Sequence, residues 1–231
     1  MNLQFEPDFS ENSTELSPEE SHHVRTVLRK KSGDLLHITN GKGGYFQCRI
    51  TEVTGKKCLI LIEQKEQHIQ PINICLAISV LKTSERMEWL VEKATEIGVT
   101  SIRFFLSMRT ERKNLNLEKL HHVAVGALKQ CGRLWLPDLR GPERFTEVLE
   151  TTADQKFIAT LSGHSTPHLI QICKPKQPAC ILIGPEGDFS EDEVKRATEQ
   201  GFKSVTLGDY TLRAETAGLV AVQNIVTSGF I

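Results

Sequence analysis

Two stretches of the chain join glycine turns to charged residues at the start of a helix. The first is Ile181-Leu182-Ile183-Gly184-Pro185-Glu186-Gly187-Asp188-Phe189-Ser190-Glu191-Asp192-Glu193. An apolar strand runs into a Gly-Pro-x-Gly turn, and Ser190 and Glu193 have the spacing of a capping box, which marks a helix start. Glycines at 184 and 187 let the main chain come close to a ligand at the carboxyl end of the strand, where open α/β sheets bind small molecules. The same pattern also serves as a plain strand-to-helix connector. The second stretch is Leu207-Gly208-Asp209-Tyr210-Thr211-Leu212-Arg213-Ala214-Glu215-Thr216-Ala217-Gly218. Again a strand ends in glycine, and Arg213 and Glu215 flank a helix start, an arrangement that also suits simple capping and ion pairing. Neither stretch is G-x-G-x-x-G or G-x-x-x-x-G-K-[ST], so a dinucleotide fold or a phosphate loop is poorly supported. Together they point to an α/β domain with a small-molecule site built from two late loops.

The elements that must position these loops follow from periodicity. From Ile72 onward apolar strands alternate with helices. Strands are expected at Ile72–Val80, Ser101–Leu106, Phe157–Leu161, Ala179–Ile183 and Ser204–Leu207, and the near-continuous apolar runs suit strands covered on both faces. Ser84 is expected to cap a helix that buries Met87, Leu90, Val91, Ala94 and Ile97 and stops at Gly98. Further helices are expected over Leu117–Gln130, from Pro142 to Glu150, and from about Ala214 to Thr227. Regular alternation of this kind predicts a mostly parallel sheet with helices on both faces. Residues 1–70 read differently. A helix over Pro18–Lys30 precedes strands at Asp34–Thr39, Tyr45–Val53 and Lys57–Glu63, separated by glycine-rich turns. This predicts a small β-barrel-like domain, with Glu63–Gln70 as a polar linker and residues 71–231 as a second domain.

Composition narrows the class. The chain has 231 residues, is 39% hydrophobic and 25% charged, and has a net charge of −1. A polyanion must therefore be met by a local basic patch. No apolar run is long enough to span a bilayer, and the N-terminus lacks the pattern of a secretory signal. The six cysteines (48, 58, 75, 131, 173, 180) contain no Cys-x-x-Cys pair, which argues against zinc or a disulfide framework and fits a reducing cytoplasm. They are read as packing residues, as are Trp89 and Trp135. His22 and His23 are read as structural rather than metal ligands.

The segments G-P-E-G-D-F-S (184–190) and L-G-D-Y-T-L-R-A-E-T-A (207–217) closely resemble the signature loops of the RsmE family of SPOUT-class methyltransferases, G-P-E-G-G-F-S and L-G-x-x-I-L-R-x-E-T-A. His22 to Arg29 resembles that family's H-H-x-x-x-V-L-R. Lys82 to Val99 resembles its K-A-T-E-L-G-V segment and the residues before it, and Gln130-Cys131-Gly132-Arg133 with Pro137 resembles its Q-S-x-R…P stretch. The chain departs from the pattern at Asp188, where the family has glycine, at Lys129, where it has glutamate, and at Thr211, where it has isoleucine.

The resemblance implies an N-terminal PUA-like barrel for RNA, a C-terminal SPOUT domain with a deep trefoil knot, and a homodimer with its site near the subunit interface. It implies methylation of N3 of a uridine in 16S ribosomal RNA, with naked RNA or the small subunit as partner and S-adenosyl-L-methionine held bent by the knot loops. Cofactor contacts carry over to Leu161, Ile183, Gly184, Gly187, Leu207, Gly208, Leu212 and Ala217. Arg213 is the leading catalytic candidate. It stays charged and so cannot act as a base, but it can stabilise the negative charge that spreads over uracil when the N3 proton leaves. Glu186 and Glu215 are candidate bases or ring-orienting acceptors. Arg25, Arg29, Lys30, Lys31 and Lys42 form one candidate RNA cluster, and Arg109, Arg112 and Lys113 a second. Such runs also occur as plain solvated faces. The rival readings are a related methyltransferase acting on another nucleotide and a noncatalytic RNA-binding assembly factor. A nucleotide-dependent metabolic enzyme lacks the phosphate loop it would need.

Overall fold

A computed structural model describes residues 3–55, 57–161 and 166–229. The chain forms two compact units. One comprises Met1–Gln70 with Val125–Leu136, the other Pro71–Ala124 with Pro137–Ile231. Residues 125–136, which the sequence reading left in the second domain, thus group with the first.

The first stretch of chain carries β1 (Leu3–Phe5), α1 (Pro18–Thr26), β2 (Leu35–Thr39), β3 (Gly44–Thr54) and β4 (Lys57–Gln67). The four strands pair in the order β1-β2-β3-β4. In β3, Phe46, Cys48 and Ile50 are buried and the residues between them are not, so one face packs on the core and the other meets water. That core also takes Phe9, Leu16 and Val24. The expected linker at residues 63–70 proves largely strand. β4 stays paired with β3 as far as Gln67, opposite Gly44, because ladder hydrogen bonds hold a polar edge segment that has no apolar pattern to betray it. Helix α1 stops at Thr26 rather than Lys30. Arg29 takes φ 54, and the Lys30 N–H donates to Val24 O in a closing turn. In the same unit Lys129 Nζ donates to Glu20 Oε1 at 2.7 Å, and both side chains are largely buried. The unexpected lysine is therefore the partner of a buried carboxylate.

The second stretch carries β5 (Ile74–Ser79), α2 (Ser84–Ile97), β6 (Ser101–Leu106), α3 (Leu117–Cys131), β7 (Asp138–Arg144), α4 (Phe145–Leu149), β8 (Gln155–Ala159), α5 (Leu169–Ile172), β9 (Ala179–Ile183), α6 (Glu191–Glu199), β10 (Lys203–Val205) and α7 (Ala214–Ser228). Its six strands run in the order β10-β8-β9-β5-β6-β7, and every pairing is parallel. β5 and β9 are buried throughout, as their unbroken apolar runs require. Two expectations are corrected. The segment around Pro142 is strand β7, not the first turn of a helix; a proline fits here because β7 is an edge strand and its register breaks opposite Arg103 and Phe105. Helix α2 is capped by Thr83, whose Oγ1 accepts from Arg86 N, and Ser84 is its first residue.

Helix α7 lies against α2, β5 and β9. Gly218 permits this approach, since a Cβ there would stand 3.0 Å from Leu90 and 3.4 Å from Leu76. Five cysteines are buried and Cys131 is exposed, so the packing reading fails at that one position. Burial pushes the Cys48 thiol up to about 12, which makes it unreactive. Trp89 is 44% exposed and is not a core residue. Among the described residues no helix is long and apolar enough to cross a membrane.

Candidate active site

Strands β10, β8 and β9 are neighbours, and because they are parallel their carboxyl ends lie side by side about 5 Å apart. The chain leaving each end therefore meets the others in one place, the usual ligand position in an open α/β sheet. A cavity of about 370 Å³ lies there. The end of β8 contributes Leu161, the end of β9 contributes Ile183 to Glu186 and Asp188, and the end of β10 contributes Val205 to Arg213. Ala214 and Ala217 of α7 close it.

Each loop is fixed by its own contacts. After β9, Phe189 is buried beside Phe105 and Phe145, with ring centroids at 6.2 and 5.8 Å, and burying that ring stabilises the turn by roughly 2–3 kcal/mol. The Gly187 carbonyl accepts from Arg109 Nη1 at 2.6 Å. Glu186 Oε1 accepts from Lys82 N at 3.1 Å and Arg86 Nη1 at 3.3 Å. The expected capping box forms between Ser190 and Glu193, and Glu193 Oε1 also accepts from Met108 N at 2.8 Å. After β10, Thr206 Oγ1 donates to Gly208 O at 3.0 Å. Gly208 has φ +149, a conformation that side chains strain to adopt.

Of the eight expected cofactor contacts, Leu161, Ile183, Gly184, Leu207, Gly208, Leu212 and Ala217 line the cavity, and Gly187 does not. Of the three expected catalytic residues, Arg213 and Glu186 line it and Glu215 does not. Arg213 occupies the N-cap position of α7 with no side-chain capping bond. It is exposed and, among the described residues, has no ion-pair partner. Glu215 is only 6% exposed, stands 3.6 Å from Arg86 Nε, and has a buried Oε2 without a hydrogen bond among the described residues. Arg86 therefore bridges Glu186 on the β9 loop and Glu215 on α7.

Sequence reasoning missed Arg86 as a site residue although it lies in the recognised Lys82–Val99 segment. Its partners stand 100 and 129 positions away, and no spacing rule joins them. Asp209 and Tyr210, which also line the cavity, were missed too. Of the expected RNA ligands, Arg25, Arg29 and Lys42 are exposed and Lys30 is partly so, and none of the four is ion-paired among the described residues. Lys42 Nζ donates to Pro7 O. Arg112 is partly buried beside Glu88, Asn114 and Lys119.

The lining combines apolar surface for a ring with charged side chains, Glu186, Asp188, Asp209 and Arg213, for a polar chain. Apolar Ile183, Leu207, Leu212 and Ala217 stand beside main-chain groups of the turns, in a volume within the range of about 300–1,000 Å³ common for small-molecule sites. A parallel α/β sheet with such a cleft at its carboxyl edge defines a small-molecule-binding α/β domain.

Residues 68–226 match the RNA methyltransferase domain family, and residues 16–63 match the RNA methyltransferase PUA domain. The chain is 31% identical over 217 residues to ribosomal RNA small subunit methyltransferase E of Synechocystis, covering 91% of this chain and 71% of that one. Its structure is similar to a probable rRNA-methyltransferase from Porphyromonas gingivalis, with a TM-score of 0.93, 36% identity, and 100% and 99% of the two chains covered. It is also similar to ribosomal RNA small subunit methyltransferase E from Neisseria gonorrhoeae bound to S-adenosyl methionine, with a TM-score of 0.86, 28% identity, and 98% and 97% covered. The chain belongs to the ribosomal RNA small subunit methyltransferase E family of RNA methyltransferases.

Proposed function

We propose that the chain transfers a methyl group from S-adenosylmethionine to N3 of a uridine in 16S ribosomal RNA. The observation that carries this reading is the convergence of the loops after β9 and β10 on one cavity that also includes Arg213, which has no ion-pair partner among the described residues. When bound, S-adenosylmethionine supplies a methyl group already activated by its sulfonium, so the protein's task is to position uracil and to manage charge. The loop turns and the apolar lining hold the adenosyl and methionine parts. Arg213 stabilises the negative charge that develops on the uracil carbonyl oxygens as the N3 proton leaves. Of the two candidate carboxylates, Glu186 lines the cavity, so the proton-accepting or ring-orienting role falls to it. Glu215 becomes a brace through Arg86.

The exposed Arg25, Arg29 and Lys42 and the partly exposed Lys30, together with Arg109 and Arg112, are assigned to RNA phosphates. Replacing Arg25 and Arg29 together should reduce the slope of log affinity against log salt by about one to two units. A slope equal to that of the unaltered protein would remove both residues from the RNA surface. The finer architecture belongs to the same proposal: a closed PUA-like barrel, a trefoil-knotted second domain, a homodimer and a cytoplasmic location. Exposed Leu161 and Tyr210, at 65% and 87%, lie among the cavity residues and support a subunit interface there. The deciding experiment is methyl transfer to unmodified small subunits followed by mass spectrometry of the nucleosides. N3-methyluridine is expected, and another methylated nucleoside would replace the substrate assignment.

A further inference from the structure

Asp188 lies at φ 60, in the left-handed region, which aspartate tolerates better than most residues. Its carboxylate is fixed at both oxygens. Oδ1 accepts from Phe189 N at 2.8 Å and Oδ2 accepts from Leu161 N at 3.2 Å. The second bond ties the β9 loop to the chain leaving β8, and Asp188 lines the cavity between them. No basic side chain pairs with it among the described residues, and the neighbouring Arg109 guanidinium is directed to the Gly187 carbonyl.

Among the described residues, the other charged groups lining the cavity are Glu186, Asp209 and Arg213. Glu186 is ion-paired with Arg86, which it shares with Glu215, and Asp209 is exposed, so water screens its field. Asp188 is half-buried and held rigidly, which makes it the unpaired carboxylate whose field acts most strongly inside the cavity.

We infer that Asp188 is a specificity-determining residue that makes the cavity prefer the sulfonium cofactor over its thioether product. This rests on the assignment of the cavity to S-adenosylmethionine. Methyl transfer removes one positive charge from that ligand. S-adenosylmethionine carries a sulfonium, an ammonium and a carboxylate, whereas S-adenosylhomocysteine lacks the sulfonium and is neutral overall. A fixed carboxylate attracts the first more than the second, so it favours loading of the donor and release of the product.

The test is titration calorimetry of the full-length protein with each of the two ligands. Asp188→Asn tolerates the left-handed backbone and removes the charge, and it keeps one of the two hydrogen bonds, since its amide nitrogen cannot accept. Its affinity for S-adenosylmethionine is expected to fall about fivefold further than its affinity for S-adenosylhomocysteine. Asp188→Gly also frees both backbone N–H groups, so it should weaken both ligands while showing the same about fivefold drop in their ratio. An unchanged ratio in the variant that folds would overturn the inference, whether both affinities fall together or neither moves. If the unaltered protein binds neither ligand, the cofactor assignment itself fails, a result distinct from an unchanged ratio.

Discussion

Arg213→Ala should lower single-turnover methyl transfer by about 10²–10³-fold or more, while S-adenosylmethionine affinity stays within about threefold. The separation follows from where the residue sits. Its main chain caps α7, but its side chain makes no capping bond and no ion pair among the described residues, so removing it leaves the helix and the β10 loop intact. What is lost, on the proposed mechanism, is a guanidinium beside the place where charge appears only as the reaction proceeds. Loss of such an interaction lowers kcat and kcat/KM together and leaves the ground state alone. Arg213→Lys keeps the charge but not the planar fork, and should recover part of the rate. Normal single-turnover rates in the alanine variant would exclude Arg213 from the chemistry.

The second large effect is expected at Arg86. Its guanidinium meets Glu186 at 3.3 Å and Glu215 at 3.6 Å, and Glu215 is nearly inaccessible to water. Arg86→Met fills similar space without the charge and leaves the buried Glu215 carboxylate uncompensated. Removing one member of a buried pair costs several kcal/mol. Because Arg86 keeps about a third of its side chain exposed, a loss of about 2–3 kcal/mol is expected, or a fall in Tm of roughly 5–10 °C. Adding Glu215→Gln removes the stranded charge, so the double variant should regain most of that stability. Cofactor affinity should stay low in both, because Glu186 has lost the anchor that holds the β9 loop. Additive losses in the double-mutant cycle would mean that the two side chains do not interact.

Each prediction depends on residues that differ in how visible they were in sequence. Glu186, Asp188 and Arg213 stand within two short glycine-bearing segments, and the capping-box spacing of Ser190 and Glu193 fixed where α6 starts. Local signals of this kind survive folding because they are satisfied within a few residues of chain. Edge strand β7 carried no such signal. Its exposure alternates but its side chains are mostly polar, and Pro142 imitated a helix start. The tail of β4 looked like a linker for a similar reason: pairing with β3, not side-chain pattern, makes it a strand.

The order of apolar runs and glycine turns, read from the chain alone, determined an α/β domain with ligand loops at two late strand ends, and motif resemblance named its family. Only the tertiary structure decided which groups meet. Parallel pairing of β10, β8 and β9 put three carboxyl ends side by side and made one cavity from loops separated in sequence. It turned Glu215 away from that cavity toward Arg86, joined Asp188 to the Leu161 main chain, and gave Lys129 a buried carboxylate as its partner. Such contacts between distant residues arise from sheet order and helix packing, which no local spacing encodes.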